Sequence, residues 1–263
     1  MCGRYILVQK IDKLEKRFNV IANNPSLWRP SYNIGVGQDA PVITSENPEL
    51  LQVFTFGLTP FWSKKRMYLF NARSEGDRNT ENNINYRGSK DIINKPAFRK
   101  PIRSKRCLVP ADAFIEGTTQ NGLDEPYLVF LKDKQRPFAF AGIYDEWVNK
   151  ENGEIIRGFS IITTTANRLL QKIPHHRSPV ILNPNDEKKW LNPKTPLTDI
   201  TSILHPFPSD KMNAYPIDKA IKNPAINNPE LLKPIGKPIY DESNNDINEK
   251  LKRSGFGRNQ RFF

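Results

Sequence analysis

Residues 138–148 read FAFAGIYDEWV, with YLVFL at 127–131 before them and GFSIITT at 158–164 after them. All three runs are dense in aromatic and β-branched residues, which pack well on a pleated surface. They predict neighbouring strands. Working outward, RYILV at 4–8, APVIT at 40–44 and LQVFTFGL at 51–58 carry the same signal, and MNAYPID at 212–218 supplies a last strand. Ile11, Leu14, Phe18 and Ile21 recur at helical spacing. A helix is expected from Asn167 to Ile173. Asn183-Pro184 reads as an N-cap with proline at the first helical position, opening a helix through Trp190. Another short helix is expected over 198–204. Strands outnumber helices and helices do not alternate with them, so the fold class is α+β with a mainly antiparallel sheet.

Between these elements, residues 24–41 hold three prolines and two glycines and read as an irregular loop. Residues 76–106 are polar and basic, with Arg78, Arg87, Lys90, Lys95, Arg99, Lys100, Arg103, Lys105 and Arg106. They are expected to form a surface loop with a little helix. One domain is expected over 1–240, followed by a polar tail, 241–263, that is expected to be disordered.

The 263 residues include 40 Lys and Arg against 28 Asp and Glu, a formal net charge of +12. That balance points to an anionic partner, with nucleic acid the commonest choice. A generally basic surface with no partner fits it as well. No apolar run of about 18 residues exists, and no basic segment followed by an apolar core opens the chain, so neither a membrane helix nor a secretory signal is expected. Cys2 and Cys107 make no disulfide framework. A reduced cytoplasmic setting would keep the Cys2 thiol available.

The sharpest chemical feature is Met1-Cys2-Gly3-Arg4. Initiator methionine is trimmed when the next side chain is small. Trimming would leave Cys2 with an α-amine beside its thiol. An α-amine titrates near pH 8, so a useful neutral fraction exists at pH 7. That amine can attack an aldehyde to give a Schiff base, and the thiol can then close onto the imine carbon as a thiazolidine. A zinc site from Cys2, Cys107, His175 and His176 fits no common ligand spacing. Phe61 and Trp62 beside Pro60 could stack on unpaired bases or pack into the core.

The motifs MCGRY at the start, Tyr32-Asn33-Ile34, FGLTPFW at 56–62 and NARSE at 71–75 are followed by RCLVPADAFIE at 106–116 and AGIY at 141–144. IITTTAN at 161–167 and HHRSPVIL at 175–182 complete the series. This ordered series resembles the SOS-response-associated peptidase (SRAP) family, the abasic-site processing proteins, over roughly residues 2–235. The resemblance implies a single domain with a barrel-like core and flanking helices. It implies that Cys2, freed of Met1, traps the ring-opened aldehyde of an abasic site in single-stranded DNA as a thiazolidine that shields the lesion.

By motif, Asn71 would position the sugar, Glu116 would contact the α-amine and His175 would move protons. Arg4, Arg73 and Arg177 would grip phosphates, with Asn33, Phe61, Trp62 and Thr163 completing the DNA surface. No cofactor and no metal are implied. A monomer is expected, cytoplasmic and associated with the nucleoid when bound to DNA. Read alone, Glu116 also fits a surface residue, His175 a hydrogen-bonded core histidine and Asn71 a turn cap. Two positions depart from the family pattern: Gly117 stands where Trp is usual, and His176 where Asp is common. The basic stretch 76–106 is also longer than is typical. A cysteine peptidase with an N-terminal nucleophile, a non-covalent single-strand binder and a scaffold remain as alternatives.

Overall fold

The computed structural model describes residues 2–132 and 136–241. The expected tail therefore lies outside the described residues, except for Asp241. Among the described residues, fourteen strands run in chain order: β1 Arg4–Leu7, β2 Ile21–Ala22, β3 Ser31–Gly35, β4 Asp39–Thr44, β5 Leu50–Phe56, β6 Asn71–Arg73 and β7 Arg106–Ala111 come first. Then follow β8 Ala113–Thr118, β9 Gly122–Leu131, β10 Phe138–Val148, β11 Ile155–Thr165, β12 Arg177–Pro179, β13 Ile181–Leu182 and β14 Met212–Pro216. Among the described residues, five short α-helices flank them: α1 Ile11–Phe18, α2 Pro101–Ser104, α3 Arg168–Lys172, α4 Pro184–Leu191 and α5 Leu197–Ser202.

Strands β11, β10, β7, β4 and β5 pair in that order, and β5 pairs back onto β11, which closes a five-stranded barrel. All of these pairings are antiparallel except β5 with β11. Closure brings backbones together at Gly158. A Cβ there would lie 2.5 Å from the Gly57 carbonyl oxygen, so only glycine fits. A second sheet, ordered β14-β9-β8-β1-β3, lies beside the barrel. Tyr5 of β1 joins the two. Its ring meets Phe56 edge-on at 5.5 Å and Phe140 at 6.0 Å, while Phe56 stacks on Phe159 at 5.1 Å. Each such ring, fully buried, contributes about 1.5–3 kcal/mol of transfer free energy. The N-terminal strand is thus tied into the core by one aromatic cluster.

The α+β class and the single barrel-centred domain agree with the sequence reading. Several local expectations do not. Residues 31–35, expected within a loop, form β3, because pairing with β1 satisfies their backbone groups. Arg106, expected on a basic surface, is buried. Its guanidinium donates to the carbonyls of Trp190, Ile102, Arg103 and Asn192 at 2.6–3.0 Å. Asn183 precedes α4 as expected but makes no side-chain cap bond, whereas Asn167 does accept from the Leu170 amide at 3.0 Å.

Candidate active site

β1 pairs antiparallel with β8, Arg4 opposite Ile115 and Tyr5 opposite Phe114. The register carries Cys2 and Gly3 on past the end of β1 toward Glu116 and Gly117. Cys2 has no exposed surface. Burial pushes its thiol well above the ordinary range, and the nearby Glu116 carboxylate adds to the rise. A thiol held in this way is protonated at neutral pH and protected from casual oxidation.

β6 adds parallel to β11, Asn71 opposite Ile161 and Arg73 opposite Thr163. That pairing aims the Asn71 side chain at the N-terminus: Asn71 Nδ2 donates to the Cys2 carbonyl at 3.0 Å and to the Phe70 carbonyl at 3.0 Å. Asn71 Oδ1 is buried with no hydrogen-bond partner among the described residues. Asn71 therefore fixes the Cys2 backbone and presents a bare acceptor beside it.

Glu116 and His175 meet at 3.3 Å, Oε2 to Nε2, with side chains only 2% and 4% exposed. Neither is a surface residue. His175 Nδ1 lies 2.8 Å from the Gly117 carbonyl oxygen, which can only accept, so Nδ1 carries the hydrogen. In a neutral ring Nε2 is then an acceptor, and Glu116 donates as the carboxylic acid. The electrostatics agree. Burial pushes the Glu116 carboxyl up to about 7, against the pull of the chain's positive amino terminus. Burial, with help from that terminus, pushes His175 down to about 4. One proton is thus shared between two groups that can exchange it.

Glu116, Gly117, His175, His176 and Arg4 line a cleft of about 240 Å³. The His176 ring stacks on His175 at 5.1 Å, and its Nδ1 sits 2.9 Å from the Thr119 hydroxyl. Gly117 is required by the β8–β9 hairpin: a Cβ would fall 1.8 Å from the Gly122 carbonyl oxygen. No larger side chain can stand there with this turn, so the ring usual at this position has no counterpart.

The expected DNA-binding residues divide into two groups. Phe61 and Trp62 are 51% and 52% exposed, and the Lys100 ammonium lies 4.6 Å from the Phe61 ring centroid. They do not pack into the core. Arg4 and Arg73 are half-buried. Arg4 donates to Asn33 Oδ1 at 2.7 Å and to the Lys222 carbonyl at 2.8 Å, and Arg73 donates to the Asn79 carbonyl at 3.2 Å. Asn33, Thr163 and Arg177 are buried instead of exposed. The Asn33 amide donates to the carbonyls of Ile221, Asn223 and Ile226, so its direct work is to hold that loop and Arg4. Arg177 Nη2 donates to Glu75 Oε2 at 2.7 Å and to the Thr163 hydroxyl at 3.3 Å, while its Nε and Nη1 have no partner among the described residues.

Sequence reasoning assigned Glu75 no role, although it closes the NARSE motif. It is fully buried, accepts from Thr164 Oγ1 at 3.1 Å and faces Lys90 Nζ at 3.9 Å. Burial opposes its ionisation, but Arg177 and Lys90 prevail and hold its carboxyl below the ordinary range. Its stabilisation is present above the ordinary carboxylate pKa and is lost as pH falls through the depressed value. Glu75→Gln leaves Arg177 as an uncompensated buried cation, which costs about 3–5 kcal/mol. The melting temperature should fall by about 6–20 °C in thermal denaturation. An unchanged melting temperature would show the pair to be energetically idle.

Among the described residues, no three His, Cys, Asp or Glu side chains group so as to hold a metal ion, and no helix is long and apolar enough to cross a membrane. Fold and site together define a class: a single-domain α+β protein with a closed barrel, whose second residue is a cysteine held beside a buried carboxylate–imidazole pair. The chain belongs to the SOS response associated peptidase (SRAP) family, whose model matches residues 1–224. A Bacillus subtilis protein named abasic site processing protein YoqW is 36% identical over 239 residues, covering 88% of this chain and 99% of its own. The abasic site processing protein HMCES of Gallus gallus is 26% identical over 243 residues, covering 79% of this chain and 67% of its own. A crystal structure of a Bacteroides thetaiotaomicron protein matches with a TM-score of 0.75 at 32% identity, covering 89% of this chain and 100% of that one.

Proposed function

We propose that this chain, once Met1 is removed, captures abasic sites in single-stranded DNA by forming a thiazolidine through Cys2. The observation that carries the reading is the Asn71 clamp on the Cys2 carbonyl beside the Glu116–His175 pair. The names of the relatives, abasic site processing proteins, support the choice of substrate.

The α-amine of Cys2 adds to the C1′ aldehyde of the opened sugar. The carbinolamine loses water to give an imine. Sγ then adds to the imine carbon, its proton passing to nitrogen. One aldehyde and one cysteine become one ring and one water. Glu116 serves the amine as proton acceptor, His175 serves the sugar oxygen, and the Asn71 acceptor holds the open sugar. Arg4 and Arg73 take flanking phosphates, and Phe61 and Trp62 stack on unpaired bases at about 1–3 kcal/mol per base. The two unpartnered donors of Arg177 suit a phosphate oxygen, because a buried unsatisfied charged donor costs more than the usual 1–3 kcal/mol or so until it is met. Thr163 and Asn33 position these groups. The working unit is a cytoplasmic monomer, a single domain that ends near residue 240, nucleoid-associated when on DNA.

A second reading, a peptidase using the same cysteine, draws on the family's name; release of Met1 would be its minimal reaction. Incubation with an oligonucleotide carrying one abasic site, followed by a denaturing gel and intact-mass spectrometry, separates the readings. A heat-stable shifted band is expected on protein lacking one methionine. Retention on a native gel alone means a non-covalent binder, and cleavage of peptides without a band means a peptidase. Cross-linking by protein that retains Met1 would overturn the α-amine chemistry, since an acylated nitrogen forms no imine.

A further inference from the structure

The long basic stretch builds something besides a surface loop. Residues 84–90, the start of α3 and the loop 201–210 enclose a second, polar groove of about 900 Å³. Its walls carry Arg87, Lys90 and Arg168 against one carboxylate, Asp210, with Tyr86 and His205 beside them. Arg87, Arg168 and His205 are exposed, and Lys90 and Tyr86 are half-buried. A concave wall of one charge sign focuses its field on an anion. Cations interleaved with rings suit a strand that offers both phosphates and unpaired bases.

The groove also neighbours the candidate active site. Lys90 on its rim lies 3.9 Å from Glu75, and Glu75 holds Arg177 at 2.7 Å. Arg177 follows His176, which lines the first cleft. Thr165, on the groove wall, pairs in register with Arg177. The groove wall at Thr165 and the cleft wall at His176 are therefore one strand pairing and one residue apart, close enough for a single strand to span both.

We infer that the groove between residues 84–90 and 201–210 is a second subsite, holding the single-stranded DNA that continues from the lesion. The inference rests on the function proposed above and deepens it: the extended basic segment lengthens the footprint on one flank. A free phosphate or an acidic protein would share some of the chemistry, but neither uses the link to the first cleft.

The test is equilibrium binding of unmodified oligonucleotides, read by fluorescence anisotropy over a salt series with the full chain. No lesion is present, so no covalent step enters. Wild type should gain affinity as the oligonucleotide is lengthened on one flank. R87A/R168A should lose that gain, and its slope of log K against log salt should flatten by about 1.4, or about 0.7 per lost phosphate. R87K/R168K should restore the slope. Lys13 and Lys16 are exposed on α1 and do not line the groove, so K13A/K16A should keep the length-dependent gain. If wild type cross-links an abasic oligonucleotide while R87A/R168A keeps its slope and its length-dependent gain, this subsite is wrong and the proposed function stands. If wild type neither binds nor cross-links DNA, both fall.

Discussion

Cys2→Ala is expected to eliminate the heat-stable cross-link to an abasic oligonucleotide, the largest single effect any substitution here should have. The reason is the order of bond formation. Burial keeps the Cys2 thiol protonated, so sulfur is the poorer first nucleophile. The α-amine attacks first, and sulfur closes the ring afterwards. Removing sulfur leaves the amine, so Cys2→Ala should still form a transient imine that borohydride traps. Without borohydride the imine hydrolyses, and the band disappears on heating. Cys107 cannot substitute. It lies inside β7, where its nitrogen is an amide, so it has no α-amine beside its thiol to form the imine that the thiol would close upon. The measurement is a denaturing gel with and without borohydride. A Cys2→Ala protein that cross-links as stably as wild type without borohydride would show that another residue is the nucleophile.

The parts of this site differ in how well the sequence announces them. The barrel strands β10 and β11 are legible because long aromatic and β-branched runs admit few other conformations. β3 is not, because Pro30 and Gly37 flank it, Gly35 ends it, and only pairing with β1 makes it a strand. β7 and β8 are masked by Pro110 and Asp112. In the fold Asp112 is a buried corner that accepts from the Val8 amide and the Gln9 side chain. Local propensity cannot foresee such a long-range partner.

Side-chain roles follow the same division. Cys2 declares its chemistry by position, since only a second-residue cysteine offers both nucleophiles after methionine removal. Asn71, Glu116 and His175 declare theirs only through their family order, because the distances that unite them span β6, β8 and the turn before β12. Burial was the least legible property. Nothing local distinguishes Arg177, sealed against Glu75, from the exposed Arg87. A count of basic residues therefore overstates the cationic surface and overlooks the carboxylate that holds one of them in place.

Glu116 and His175 should divide the proton chemistry of imine formation, and their substitutions carry the second-largest expected effect. The α-ammonium must lose a proton before it attacks, and the carbinolamine oxygen must gain one before it leaves as water. Positioned proton transfer supplies about 10²–10⁴-fold at such steps. Glu116, with its carboxyl pushed up to about 7, is poised to alternate between base and acid near neutrality. Below about pH 7 it holds its proton and cannot deprotonate the amine. Cross-linking should therefore accelerate as pH rises through about 7. Glu116→Gln keeps a donor facing His175 Nε2 but cannot titrate, so it should slow single-turnover cross-linking by about 10²-fold or more and erase that inflection. His175, pushed down to about 4, works as the neutral imidazole that receives the shared proton and passes it to the sugar oxygen. His175→Ala should slow both cross-linking and release of DNA from a preformed adduct. His176→Ala should have the smaller effect, since that ring touches Thr119 and stacks on His175 without meeting Glu116 in the described contacts. Abasic sugars open spontaneously, so none of these three variants should lose the reaction altogether. The decisive measurement is a set of single-turnover time courses for the three variants across about pH 5–9, which brackets the carboxyl and the α-amine. If Glu116→Gln keeps the wild-type inflection, the titrating base lies elsewhere; if His176→Ala proves the slow variant and His175→Ala behaves as wild type, the proton path runs through the Thr119–His176 side of the cleft instead.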